Sequence, residues 1–216
     1  MKIALLGNGK TGKYISELSK ETLIFDSKNK LTAMKISQCD VVICFVSSEV
    51  IEEYIDELII SKKPVVIAST GKEYINGLNE KLINSGLTWI HSSNFSKSLA
   101  LYKSIIQFLS TQKEYITDMK INILDIHHKD KQDAPSGTAL TIKDWYGEEV
   151  LIRSIREDDH VGVHSFIISN EVEEISITHT IKDRSVFAKG AINAACILLK
   201  NHLGPGLHQF YEVINE

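Results

Sequence analysis

Three features of the sequence predict an α/β fold: a doubly wound parallel sheet joined to an α+β unit with a mixed or antiparallel sheet. Short apolar runs alternate with amphipathic stretches through about residue 95. A glycine-rich turn, Gly7-Asn8-Gly9-Lys10-Thr11-Gly12, joins the first run to the first amphipathic stretch. Beyond Met119 the alternation gives way to strand-like runs at hairpin spacing.

In order, Lys2 to Leu6 reads as a buried strand, Lys13 to Lys20 as a helix, and Thr22 to Phe25 as a strand ending on Asp26. Strand, G-x-G-x-x-G, helix, strand and acidic residue is the order of a dinucleotide-binding, Rossmann-like unit. Gly7 permits the tight turn, Gly9 lets backbone approach a pyrophosphate, and Gly12 lets the helix pack close to the sheet. Asp26 can accept from ribose hydroxyls. Its carboxylate repels a 2′-phosphate, which makes NADH the better fit, while Lys28 leaves NADPH open.

Asp40 to Val46 reads as a strand, Glu49 to Ile60 as a helix capped by Ser47 or Ser48, and Lys63 to Ala68 as a strand ending at Ser69-Thr70-Gly71. A helix from about Lys72 to Asn84 precedes a strand from Leu87 to His91, and Ser93-Asn94-Phe95 ends that strand. A ligand crevice is expected at the carboxyl ends of these strands. Ser96 to about Thr111 reads as a long helix. Strands at 119–126, 150–155, 161–168 and 172–179, with a helix over Thr138 to Trp145, form the expected second unit. Ser185 to Lys200 returns to helix, Gly204-Pro205-Gly206 breaks it, and Leu207 to Ile214 reads as a last short helix. The expected division is 1–95 with 185–216 for the dinucleotide and 96–184 for substrate binding and oligomerisation.

The 216 residues carry a net charge of -4, which gives no electrostatic reason for nucleic acid or an anionic membrane as partner. No apolar run is long enough to span a bilayer, and the first apolar run meets Gly7 too soon for a signal peptide. Cys39, Cys44 and Cys196 lack Cys-x-x-Cys spacing and read as buried, reduced thiols of a cytoplasmic protein.

Chemistry concentrates in Asp125-Ile-His-His-Lys-Asp-Lys-Gln-Asp-Ala-Pro-Ser-Gly-Thr-Ala139. Ser136 or Thr138 can cap the following helix, and amides at a helix start beside cations suit a carboxylate or phosphate. His127 and His128 offer proton transfer near neutral pH, one imidazole for that task and the other for substrate contact. Lys131 lies near enough in sequence to meet the same substrate. A metal is not expected, because no third ligand stands at an informative spacing and Lys129 and Lys131 oppose a cation. Lys129 and Asp130 read as a solvated turn. Arg153, Arg156, His160, His164, His179 and Arg184 form a downstream group whose roles stay open.

The stretch His127-His-Lys-Asp-Lys-Gln-Asp-Ala-Pro-Ser-Gly-Thr-Ala139 resembles the signature of the dihydrodipicolinate reductase family of bacterial lysine biosynthesis. The similarity runs from Gly7 to the Arg184-Ser-Val-Phe-Ala-Lys-Gly190 segment. It implies that His127 is the proton donor and acceptor, that Lys131 is a second proton donor, and that His128 contacts substrate. Gly137 and Thr138, with the Ser136 amide, would hold a carboxylate of a cyclic dicarboxylate. Gly7, Asn8, Gly9, Lys10, Thr11, Gly12 and Asp26 would bind NADH or NADPH. Ala68, Ser69, Thr70, Ser92, Ser93, Asn94 and Phe95 would line its nicotinamide end. Ala68-Ser-Thr-Gly71 stands where Gly-Thr-Thr-Gly is usual, Ser92-Ser-Asn-Phe95 where Ala-Pro-Asn-Phe is usual, and Asp125 where Glu is usual. The resemblance also implies a homo-oligomer, a tetramer. The alternatives are another nicotinamide-dependent imine or amino-acid dehydrogenase, or a non-catalytic NAD(H) sensor.

Overall fold

The computed structural model describes residues 1–69, 76–200 and 202–214. The chain forms two compact units, Met1–Lys97 with Arg184–Glu216, and Ser98–Asp183.

The first unit carries six parallel strands: β1 (Ile3–Leu6), β2 (Thr22–Phe25), β3 (Val41–Cys44), β4 (Val65–Ile67), β5 (Thr88–His91) and β10 (Gly206–Gln209). Their spatial order is β10-β5-β4-β3-β1-β2. Every β1 residue is buried, as a strand covered on both faces requires. Ile3 and Leu5 join one apolar layer, with Ile15 of α1 (Gly12–Leu18) and Ala188 to Leu198 of α7 (Ser185–Lys200). Ala4 and Leu6 join the other, with Ile51, Ile55 and Leu58 of α3 (Ser48–Ser61) and Leu78 and Leu82 of α4 (Leu78–Ser85). This is the doubly wound sheet expected. The order reverses beside β1, between β2 on one side and β3 on the other, which creates the crevice where the glycine loop leaves β1.

Short elements depart from expectation. A one-turn helix, α2 (Ala33–Ile36), follows β2, capped by Thr32. The segment after the Gly-Pro-Gly break is not one helix: Gly206–Gln209 pairs with β5 as β10, and only Phe210–Val213 is helical, as α8. Edge pairing overrides a four-residue pattern too short to declare its own period. Asn79 Oδ1 accepts from the Leu207 amide and the Leu87 carbonyl accepts from the Gly206 amide, fixing that register. The beginning of the helix expected from Lys72 lies outside the described residues.

The second unit is a four-stranded mixed sheet of order β7-β6-β8-β9. It comprises β6 (Lys120–His127), β7 (Leu151–Arg156), β8 (Gly162–Ser169) and β9 (Glu174–Ile181). β6 pairs parallel with β7, and β8 antiparallel with both β6 and β9. The parallel step uses α6 (Gly137–Tyr146) as its crossover, while β8 and β9 form a hairpin whose turn amides donate to Asn170 Oδ1. Alternation along β6 buries Ile123, Asp125 and His127 on one side. Tyr146 meets Phe166 there at a ring separation of 5.1 Å, and the Tyr102 hydroxyl of α5 (Ser98–Ser110) donates to the Ile177 carbonyl at 3.1 Å.

Candidate active site

Gly7 adopts φ +95, and a Cβ there would lie 2.4 Å from the Phe45 carbonyl oxygen. A Cβ on Gly12 would fall 2.1 Å from the Gly7 oxygen, so both positions exclude a side chain by contact. Gly9 differs: among the described residues nothing lies within 4 Å of its notional Cβ. The three glycines therefore divide into two that close the turn and one that leaves open space above it. A cavity of about 280 Å³ adjoins that space, lined by Gly9 to Gly12, Phe45 to Ser47, Ala68 and Ser69.

The buried Ser69 Oγ finds no partner among the described residues, and neither does Asn8 Oδ1. An open glycine and unsatisfied polar atoms at this crevice fit a polar ligand of dinucleotide type. Asp26 sits fully exposed at the end of β2, its Oδ1 accepting from the Lys28 and Asn29 amides at 2.8 and 2.9 Å. Those amides hold its carboxyl below the usual range, so it stays charged at neutral pH. In the 92–95 turn, Ser92 Oγ donates to the Asn94 carbonyl and accepts from the Asn94 amide, while Asn94 Oδ1 accepts from the Ser96 amide. The Ser92 hydroxyl thus braces the turn, Phe95 packs on Phe210, and Ser93 is the partly exposed member. Thr70 lies outside the described residues.

In the second unit, β6 extends one residue beyond expectation, so His127 is the strand's last residue and not part of the loop. Asp125, two residues earlier, is fully buried and gathers a network that the sequence reading did not assemble. Its Oδ2 accepts from the Ser136 amide at 2.9 Å, Ser154 Oγ at 3.2 Å and the Arg156 guanidinium at 3.2 Å. Its Oδ1 accepts from Ser136 Oγ at 2.7 Å and lies 3.0 Å from His127 Nδ1. That last contact is an ion-pair distance, not an in-line hydrogen bond. Burial alone would raise the Asp125 carboxyl, but His127 and the Ser136 amide and hydroxyl outweigh it and hold it far below the usual range. Charge assistance and several donors together produce that result.

Register explains how distant residues meet. Asp125 stands opposite Ser154 on β7 and His164 on β8, and His164 opposite His179 on β9. The His127 and His164 rings meet edge-on at 5.1 Å, and His164 stacks on His179 at 6.3 Å. Burial pushes His164 down to about 3, so it is a neutral imidazole; burial also lowers His179. Ligand atoms of Asp125, His127 and His164 come within 4.8 Å of one another. The carboxylate is already engaged by Arg156 and Ser136, a cationic environment that disfavours a metal.

Ser136 caps α6, its Oγ accepting from the Ala139 amide at 3.2 Å. Both its amide and its hydroxyl donate to Asp125, so Ser136 braces this helix start from within and is not itself a donor to an anion there. His128 is anchored through its amide to the His160 carbonyl. Lys131 turns back on the His128 carbonyl through its amide, and its ammonium pairs with Asp133 at 2.7 Å. Lys129 and Asp130 are exposed.

A family model described as the C-terminal part of dihydrodipicolinate reductase matches residues 102–214. The 4-hydroxy-tetrahydrodipicolinate reductase of Sulfurimonas denitrificans is 31% identical over 78% of this chain and 74% of its own. That of Christiangramia forsetii is 30% identical over 90% of this chain and 91% of its own. This chain belongs to the dihydrodipicolinate reductase family. The family uses a reduced nicotinamide cofactor, NADH or NADPH. A dipicolinate-bound dihydrodipicolinate reductase from Paenisporosarcina shares the fold at TM-score 0.71 and 17% identity, with 97% of each chain covered. An amine dehydrogenase from Mycobacterium smegmatis shares it at TM-score 0.67 and 10% identity, over 98% of this chain and 95% of its own. No helix among the described residues is long and apolar enough to cross a membrane.

Proposed function

We propose that this chain reduces 4-hydroxy-tetrahydrodipicolinate, a cyclic dicarboxylate, to tetrahydrodipicolinate. Family membership supports the reaction, and one observation carries the site: the buried Asp125–His127 pair tied through Ser136 to the first turn of α6. The balance is simple. The hydroxylated ring takes up one hydride and one proton and releases one water. The bound cofactor supplies the hydride.

The protein's own groups divide the remaining work. The open face above Gly9, with Asn8, Lys10 and Thr11 beside it, receives the pyrophosphate; Gly7 and Gly12 hold that loop in shape. Ala68, Ser69 and the Ser92-to-Phe95 turn line the nicotinamide end, with Thr70 assigned there on resemblance. Asp26 accepts from the adenine ribose, and its charge at neutral pH favours NADH. The Gly137 and Thr138 amides hold one substrate carboxylate, and His128 contacts the ring. His127 holds and moves the proton at Nε2, its other nitrogen being turned to Asp125. Lys131, whose ammonium is paired with Asp133, is the second proton donor.

Purified protein given enzymatically prepared substrate and NADH should consume the reduced cofactor, with pyridine-2,6-dicarboxylate competing. Absence of turnover with NADH and with NADPH would overturn the assignment. Paired kinetics with both cofactors measure the preference assigned to Asp26.

A further inference from the structure

We propose that Asp125 is a positioning residue for the reaction: one buried carboxylate sets the orientation and tautomer of His127 and fixes the helix start that receives the substrate carboxylate. The inference rests on the reading of His127 as the proton-transfer group. It adds a residue that touches neither substrate nor cofactor.

The geometry assigns the two oxygens different neighbours. Oδ2 is held by Arg156, Ser154 and the Ser136 amide, which neutralise and immobilise the carboxylate. Oδ1 bridges Ser136 Oγ at 2.7 Å and His127 Nδ1 at 3.0 Å. A carboxylate only accepts, so the neutral ring places its proton on Nδ1 and leaves the Nε2 lone pair for chemistry. The Nε2 edge lies beside Gly162, where a Cβ would come within 3.1 Å, so that edge is kept clear of a side chain. Ser136, on the same oxygen, also caps α6 through Ala139. Proton donor and anion cradle therefore share one anchor. The approach of His127 Nδ1 to Oδ1, close but out of line, is of the kind that aligns when substrate arrives.

Other charged and titratable groups surround this imidazole. Arg156 is its register partner on β7, His164 meets its ring from β8, and His179 stands behind His164 on β9. The Lys131–Asp133 pair comes from the loop after β6. Of these groups, only Asp125 brings a negative charge to His127 from within its own strand.

The test uses the full chain. Imidazole 15N shifts, assigned with His127→Gln, should show the Nδ1–H tautomer in the unliganded wild type. Asp125→Asn should mix the tautomers and lower kcat about 100-fold or more, the order of what a general acid–base contributes. Asp125→Glu should restore the tautomer and most of kcat, and NADH affinity should not change in either variant. A merely structural Asp125 would lower Tm but leave the tautomer in place, which overturns the proposal. Should Asp125→Asn fail to fold, the wild-type shifts decide: an Nε2–H tautomer refutes it. A wild type without turnover would sink the reductase reading, while the shifts would still judge Asp125.

Discussion

A methyl group on Gly162 would lie 3.1 Å from His127 Nε2 and 3.4 Å from His164 Cε1. Both rings are buried and packed on each other, so His127 must yield by a few tenths of an ångström. Gly162→Ala is therefore expected to leave cofactor binding intact and reduce kcat about 10-fold, since small misplacements of a reacting group are costly. Steady-state kinetics beside NADH titration would measure both. The glycine loop allows a sharper contrast. Gly9→Ala meets nothing within 4 Å among the described residues and should keep the wild-type Tm while weakening NADH binding by about 10-fold or more, because the methyl occupies ligand space. Gly12→Ala, driven into the Gly7 carbonyl, should lower Tm as well. Equal melting temperatures for the two variants would contradict this division. At this scale the glycine pattern was readable in the sequence because its constraint is local, a turn and a close approach within six residues. The Asp125 network was not readable as a network. Arg156 and His164 lie 31 and 39 residues from Asp125, and only strand register brings them to it.

Between residue and fold stands the start of α6. Ser136 was legible as a cap from Ser-Gly-Thr before an apolar run, but its second role was hidden. The same hydroxyl donates to Asp125 and accepts from Ala139. Ser136→Ala removes the cap and leaves a buried carboxylate short of one donor, a loss of about 2 kcal/mol, read as a shift in urea midpoint. The same variant should raise the KM for the dicarboxylate more than the KM for NADH. Other elements mark where local signals end. The strand β10 was read as helix because four residues between a glycine break and Phe210 carry no decisive period, and its pairing partner β5 lies over a hundred residues earlier. One residue at the end of β6 also mattered. Placing His127 on the strand instead of in the loop puts it on the Asp125 face by simple alternation.

For the molecule as a whole, His164 and Asp125 make stability depend on acid in the same direction, and His179, lowered by its burial, adds to the effect of His164. His164 is held neutral, with its folded pKa near 3 against an ordinary value of 6.5. Below pH 6.5 the unfolded chain binds a proton that the folded chain refuses, so stability falls as pH drops through the window from 6.5 to about 3. Asp125, lowered from 3.8, adds stability that is present above its unfolded value and lost as pH falls below it. Urea melts at a series of pH values should show a decline that begins near pH 6.5 and steepens below 4. His164→Gln should reduce the upper part of that decline, leaving the share that His179 contributes. A flat profile between pH 6.5 and 4 would contradict the neutral assignment of His164.

The covering of the first unit's sheet by α7 has a consequence for how the chain is made. One layer of that sheet, bearing Ile3, Leu5, Val41, Ile43, Val66 and Ile90, is closed by alanine-lined α7, which begins at Ser185. A ribosome releases β1 to β5 first and this cover almost a hundred residues after β5, with the whole second unit in between. Until then the nascent sheet carries a bare aliphatic face of the kind that chaperones bind and aggregates recruit. The second unit, continuous in sequence, can close its own core while the first still waits for α7.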